Sequence, residues 1–183
     1  MSNKEFNPRI YVACLSSYNA GILYGEWIEI LDKDAEDLEA EIKDMLAASA
    51  AKDAEDWAIH DTDDLNGYTP QSLEEAAAIG DCINKTDNLA VIYWLKNGNG
   101  QGLSPDEFKD RLSDDYRGVY TSTEAFTAEY LEELGIQTEL EKIKIGSCDA
   151  WFYLDMAQVA SDFFITDFWS HQTGYEEVYI FSR

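Results

Sequence analysis

Few side chains in this 183-residue chain suit catalysis or metal binding. Its two histidines, His60 and His171, stand far apart, and its three cysteines, Cys14, Cys82 and Cys148, form no CxxC pair. This spacing gives neither a zinc site nor a disulfide framework, and it favours buried, reduced thiols. GxSxG, Walker and dinucleotide-binding motifs are also missing. We therefore predict no catalytic residues, no metal and no cofactor, and we expect a protein that is not an enzyme.

Two carboxylate-based sites have little support. The stretch DTDD from Asp61 begins like an EF-hand loop, but Asn66 stands where that loop needs glycine and Ser72 where it needs glutamate. A carboxylate pair for glycoside hydrolysis stays open on distance alone, because some pair among 37 acidic residues always lies at a suitable separation. Nothing specific in the sequence favours it.

Long apolar runs are missing too. None approaches the roughly 18 residues that a membrane span requires, and the N-terminal sequence MSNKEFNPR lacks the apolar core of a signal peptide. We therefore expect a soluble, cytoplasmic protein.

Positive charge is scarce. The chain has 13 Lys and Arg against 37 Asp and Glu, which gives a net charge of −24. With 45% hydrophobic and 13% aromatic residues it is nevertheless a folding sequence, since disordered acidic chains have few aromatics. An acidic surface repels nucleic acid and anionic membranes and attracts basic partners. We therefore expect a basic protein partner, and neither nucleic acid nor membrane.

The apolar pattern predicts an α+β fold of three small modules, with an antiparallel sheet plus helix at each end and a helical middle module. In the first domain, residues 1–66, two runs at 9–15 and 22–30 are rich in β-branched and aromatic residues, which favours an antiparallel pair of strands. An acidic helix at 34–48 and a third strand at 57–60 complete a ββαβ module.

The middle domain, residues 67–102, is predicted to contain a helix in SLEEAAAIGDCI and a second apolar segment opened by Asp87. The run from Leu89 to Leu95 fits a buried strand as well as a helix, because periodicity does not decide for short runs. The segment NGNGQG is then a loop.

The last domain, residues 103–183, begins with two amphipathic helices. Ser104 and Glu107 form a capping box for the first, and Thr121 and Glu124 form one for the second. A left-handed glycine, Gly135, is expected to end the second helix. The apolar faces are predicted to contain Phe108, Leu112 and Tyr116, and then Phe126, Tyr130, Leu131 and Leu134.

The C-terminal segment is predicted to contain a short strand at 151–154, a helix bearing Met156, and a closing hairpin whose first strand begins at Phe164. Its aromatic density exceeds what a small sheet needs, so part of it is expected to form a subunit interface.

Carboxylates gather on one face of each predicted acidic helix. Like charges at this spacing cost about 0.2–0.5 kcal/mol per pair, so a surface selected only for stability would place lysines among them. The candidate partner-binding residues are Asp34, Asp37, Glu41 and Asp44; Asp106, Glu107, Asp110, Asp114 and Asp115; and Glu124, Glu129, Glu132 and Glu133.

Two interpretations of this acidity differ in what they explain. Solubility or adaptation to high salt accounts for the composition but not for the helical rows. Mimicry of DNA accounts for both, because duplex DNA carries one charge per about 1.7 Å, so that 24 charges match roughly 41 Å of duplex. Each carboxylate would then stand in for a phosphate.

The residues also carry a resemblance that extends over nearly the whole chain. The segments are RIYVACLSSYNAGILYGEWIEI, AEDWAIHD, YRGVYTSTEAFTAEYLEELG, YLDMAQVASDFF and VYIFSR. They resemble the ArdA antirestriction family, the DNA mimics of mobile genetic elements that block type I restriction-modification enzymes. The resemblance implies an elongated, curved homodimer in which each chain has three small α+β domains and the C-terminal domains join. It also implies a target in the DNA-binding groove of the methyltransferase core and an antirestriction motif in the helix at 124–133. The alternatives are a DNA mimic directed at another basic DNA-binding protein, or an acidic globular domain without a basic partner.

Overall fold

The computed structural model describes residues 6–51, 54–86, 88–100 and 102–183. It is mixed helix and small antiparallel sheets, which confirms the α+β class. The chain divides into two compact units, Met1–Ser113 and Asp114–Arg183. The division into three domains stays a prediction. Asp87 and Gln101, which the sequence analysis placed at a helix start and in a loop, lie outside the described residues.

The N-terminal unit is built on a three-stranded antiparallel sheet in the order β2-β1-β3. The strands are β1 (Arg9–Cys14), β2 (Gly25–Glu29) and β3 (Trp57–Asp63), and a short helix α1 (Leu15–Asn19) follows β1. The predicted antiparallel pair and the third strand are confirmed, with β2 shorter than expected. Alternation along β1 buries Ile10 and Val12 on one face of the sheet.

Four further helices complete the N-terminal unit: α2 (Ala35–Ala47), α3 (Leu73–Lys85), α4 (Asn88–Lys96) and α5 (Pro105–Asp115), whose last turn contains the boundary between the units. The run from Leu89 to Leu95 is therefore helical. A Cβ at Gly80 of α3 would lie 2.1 Å from the carbonyl oxygen of Ile30, so glycine is needed where α3 approaches the segment between β2 and α2.

The C-terminal unit contains a second three-stranded antiparallel sheet in the order β4-β8-β7, together with helices and a two-stranded hairpin. Its elements in chain order are β4 (Tyr116–Tyr120), α6 (Thr123–Glu133), α7 (Ile136–Glu141), β5 (Lys144–Ile145), β6 (Cys148–Asp149), a 3₁₀ turn (Trp151–Tyr153), α8 (Met156–Thr166), β7 (Phe168–Gly174) and β8 (Glu177–Ser182).

The core of the C-terminal unit is aromatic. Phe126 of α6 is buried against Phe168, Val178 and Ile180 of the sheet. The rings of Phe126 and Phe168 meet edge to face at 4.8 Å between centroids, and Tyr130 stacks on Phe126 at 5.7 Å. Edge-to-face and offset ring pairs add stability beyond area burial. This cluster therefore holds α6 on the sheet.

Two predictions at the start of the C-terminal unit are wrong. Tyr116 does not continue the apolar face of α5 but begins β4, where it pairs with Phe181 of β8. Pairing with a strand 65 residues away decides this conformation, and helical spacing does not detect it. The helix cap is Ser122, which accepts from the amide of Ala125 at 3.1 Å, and not Thr121.

Three further details differ from the sequence analysis. Leu134 is 55% exposed, because α6 ends there and Gly135 turns the chain at φ 74°. The segment at 151–154 forms a 3₁₀ turn instead of a strand, and Phe164 lies in α8, so the closing hairpin begins at Phe168. Buried free thiols are confirmed for Cys14 and Cys82, whereas Cys148 is half-buried.

Candidate partner-binding surface

Eleven of the thirteen candidate carboxylates are exposed, and they fall into one group on each of three helices. The face opposite each group is apolar and buried, as 3.6-residue periodicity requires. We call these groups the α2 stripe (Asp34, Asp37, Glu41 and Asp44), the α5 stripe (Asp106, Glu107, Asp110 and Asp114) and the α6 stripe (Glu129, Glu132 and Glu133).

The α2 stripe is partly engaged within the protein. Asp34 caps the helix by accepting from the amide of Asp37 at 2.9 Å, and Asp37 accepts in return from the amide of Asp34 at 3.2 Å. Glu41 forms an ion pair with Lys33 at 2.5 Å. A lysine within contact distance offsets the charge of a carboxylate, so this row is interrupted. Asp44 continues it at the C-terminal end.

The α5 stripe begins with the predicted capping box. The amide of Ser104 donates to Glu107 at 3.0 Å, and the Ser104 hydroxyl donates at 2.6 Å. These two hydrogen bonds hold the pKa of Glu107 below its usual range. Lys109 of the same helix pairs with Asp81 of α3 at 2.7 Å, and Lys85 reaches the same carboxylate. The ammonium group of Lys109 is therefore held by Asp81 of α3.

Helix α6 itself contains no basic residue, and residues 118–141 contain no Lys or Arg, although β4 before the helix contains Arg117. The Tyr120 hydroxyl donates to Glu129 at 3.2 Å. Burial, together with the nearby charge of Glu129, raises the pKa of Tyr120. Within the described part of the chain, Glu132 and Glu133 form no ion pair. No Lys or Arg therefore stands between these carboxylates along α6.

Two candidates do not belong to an exposed row. Asp115 is only 5% exposed, so it does not present its charge to a partner, and we remove it from the candidate surface. Glu124 is half-buried in the first turn of α6, on the side of the buried Leu131. Its own backbone amide and Ser122 donate hydrogen bonds that lower its pKa, so its main contribution is to the helix N-terminus.

The N-terminal ends of α2 and α5 line one open groove of about 600 Å³ in the N-terminal unit. Three carboxylates that the sequence analysis missed lie there: Asp32, Glu74 and Asp81. Glu74 stands in the first turn of a helix capped by Ser72, which is a local pattern that could have identified it. Asp81 forms a local i,i+4 pair with Lys85, whereas its second partner, Lys109, comes from another helix and could not have been predicted from a local pattern.

Within the described residues, no group of three or more His, Cys, Asp or Glu is arranged to hold a metal ion. None of the helices seen there has both the length and the apolar character needed to cross a bilayer. What the exposed side chains offer is negative charge on helices with buried apolar faces, and the class of protein that this arrangement defines is an acidic α+β protein.

Residues 10–177 match the family model described as Antirestriction protein (ArdA). This match covers most of the chain, so the protein belongs to the ArdA family of antirestriction proteins. Members of this family are inhibitors that act on restriction-modification enzymes and are not enzymes themselves. No curated protein matches the sequence.

Proposed function

We propose that this protein inhibits type I restriction-modification enzymes by occupying the DNA-binding groove of their methyltransferase core as a mimic of DNA. The observation that carries the proposal is the α6 stripe, where three exposed carboxylates stand on one helix face and no Lys or Arg lies in residues 118–141. The stripe also lies in the helix to which the family resemblance assigns an antirestriction motif.

The physical basis is collective. Side chains three and four positions apart on a helix lie about 5–6 Å from each other, so a helical row of carboxylates can replace a row of phosphates. A groove lined by Lys and Arg attracts such a row in the way it attracts DNA, and the attraction falls as salt rises. An exposed ion pair contributes about 0–1 kcal/mol, so affinity comes from many contacts and not from one.

The proposal is tested by competition between this protein and duplex DNA for a purified type I methyltransferase. The informative variant is Glu129→Gln/Glu132→Gln/Glu133→Gln, which neutralises the α6 stripe. Its matched control removes the same charge from exposed positions of the same unit, as Glu141→Gln/Asp162→Asn/Glu176→Gln.

We expect the α6 variant to lose about tenfold in inhibition, because three contacts of about 0.5 kcal/mol each are removed. The control variant should lose less than threefold, and Glu132→Gln alone should change little. Equal losses in the two triple variants would contradict a role for the helical row and would favour net charge alone. Failure of the wild-type protein to displace DNA would contradict the proposed target.

We further propose that the protein is a homodimer joined through its C-terminal unit. Large apolar side chains are exposed in one continuous segment of this unit: Phe152 is 71% exposed, Tyr153 56%, Ile143 54% and Ile145 50%. The 3₁₀ turn contacts both α7 and β6, so these residues belong to one local substructure. Exposed apolar side chains grouped in this way favour a protein–protein interface.

The mass in solution tests this interface. We expect the wild-type mass measured by light scattering to be that of a dimer, and Phe152→Asp to shift it toward the monomer, because a carboxylate in an apolar interface loses its hydration. Tyr175→Asp is the control, since Tyr175 is 92% exposed at the tip of the β7–β8 hairpin, outside this segment. A monomeric wild-type protein would contradict the proposed interface, but it would not contradict the proposed role of the acidic stripes.

A further inference from the structure

The outward face of the N-terminal sheet bears two aromatic rings. Tyr11 and Trp27 are direct cross-strand neighbours on the face opposite Ile10 and Val12, and their ring centroids lie 5.3 Å apart. A Cβ at Gly25 would lie 2.2 Å from the carbonyl oxygen of Val12 and 3.0 Å from the Tyr11 ring, so glycine is needed where β2 approaches β1 beside this ring. Trp27 is 43% exposed, which makes it accessible to a partner.

Arg9 of the protein itself already contacts the Trp27 ring. The guanidinium of Arg9 lies 5.4 Å from the centroid of the Trp27 ring, and it pairs with the carboxylate of Asp63. A guanidinium that contacts an aromatic ring and a carboxylate at once is a favourable arrangement for this group. The exposed fraction of Trp27 is what remains with Arg9 in place, so the ring keeps surface for a second cation.

Two carboxylates lie on the same face as the rings. Glu29 follows Trp27 by two residues and so shares its face, and Asp61 is the cross-strand neighbour of Tyr11; both are exposed. The strands β1, β2 and β3 together contain four acidic residues against one arginine. The excess of negative charge around the rings is complementary to a cation.

We propose that this face binds an arginine side chain of the protein's basic partner, with the guanidinium on the Trp27 indole and its N–H groups donating to Glu29 or Asp61. Arginine is favoured over lysine because its planar group stacks on rings and donates in parallel to a carboxylate, whereas an ammonium is more strongly hydrated. The proposal rests on the proposed function, because it adds a contact outside the helical stripes to the same partner.

The site is tested on the full chain labelled with ¹⁵N at tryptophan, with the Trp27 indole signal assigned from Trp27→Phe. The probes are a nine-residue arginine peptide and a nine-residue lysine peptide of equal charge. We expect the arginine peptide to move the Trp27 signal at least threefold more strongly at equal concentration, with smaller shifts at Trp57, Trp94, Trp151 and Trp169. A Trp27 signal that does not move, or that moves equally with both peptides, overturns the proposal.

A variant confirms the chemistry of the site. Glu29→Gln/Asp61→Asn should weaken the arginine peptide at Trp27 by at least threefold, while Glu36→Gln/Asp44→Asn, which removes the same charge from α2, should weaken it less. Equal losses of arginine-peptide binding in the two variants would show that binding depends on net charge alone, and this would overturn the proposed site. Because the peptides replace the enzyme, a positive result stands even if type I methyltransferase is not bound, and a negative result leaves the DNA competition untouched.

Discussion

Helices α2 and α6 are both acidic and amphipathic, but lysines answer the carboxylates of only one of them. On α2 and its entry, Lys33 pairs with Glu41 and Lys43 pairs with Glu39. Residues 118–141, which include all of α6, contain no Lys or Arg. The net charge of −24 therefore does not show where on the surface negative charge is left uncompensated. The ion pairs of each helix show this, and they make α6 the stronger candidate for contact with a basic groove.

The largest expected effect concerns the cores beneath the two helices. Phe126→Ala should destabilise the C-terminal unit by about 3–5 kcal/mol, because it removes the ring at the centre of the aromatic cluster. Hydrogen exchange should show lost protection in α6 and retained protection in α2. Ile42→Ala, beneath α2, should give the reverse pattern at about 2–5 kcal/mol. Simultaneous loss in both helices would show that the two units do not unfold separately.

The next effect concerns the cap of α6. Ser122→Ala should cost about 1 kcal/mol of stability in urea unfolding, because the amide of Ala125 loses its acceptor. Thr121→Ala, at the residue that the sequence analysis chose as the cap, should change stability by less than about 0.5 kcal/mol. Equal costs at the two positions would contradict the assignment of the cap.

The same variant changes the response to acid. The pKa of Glu124 is lowered from an ordinary value of 4.5 by its own backbone amide and by Ser122. A carboxylate with a lowered pKa adds stability above its ordinary pKa, and this stability is lost as the pH falls through the lowered value. Ser122→Ala should therefore lose less stability than the wild type when the pH falls from 7 to below 4.5.

The smallest expected effect comes from removing the lysines that pair with the carboxylates of α2, which makes α2 resemble α6. Lys33→Gln/Lys43→Gln removes both partners of the α2 carboxylates and should tighten binding to the enzyme about two- to fivefold, in line with exposed pairs of about 0–1 kcal/mol. Lys96→Gln/Lys144→Gln is the control, with the same change of net charge away from α2. Tighter binding by equal factors would show that the net charge matters more than its position.

The features that short-range chemistry determines could be predicted from the sequence. The predicted capping residue Ser104 of α5 depends only on residues within one turn, and so does the buried face of α2, which contains Leu38 and Ile42. For that reason the predicted bounds of the acidic helices lie close to the observed ones.

The features that distant partners determine could not be predicted. Tyr116 becomes a strand residue because β4 pairs with β8, at the other end of the sequence of the C-terminal unit. The pairing of Lys109 of α5 with Asp81 of α3 is likewise known only once the helices are packed. Sequence periodicity shows which helix face carries the charged side chains, but it does not show which of these carboxylates pair with a lysine from elsewhere in the fold.

The central claim is that helical rows of carboxylates act as a substitute for the DNA backbone, and the salt dependence of binding tests it most directly. The dissociation constant of the complex with a type I methyltransferase should be measured from 50 to 300 mM salt, beside that of duplex DNA. We predict that affinity falls steeply and linearly in log–log form, as for DNA, and that neutralising the α6 stripe lowers the slope. An affinity that does not change with salt would contradict the account.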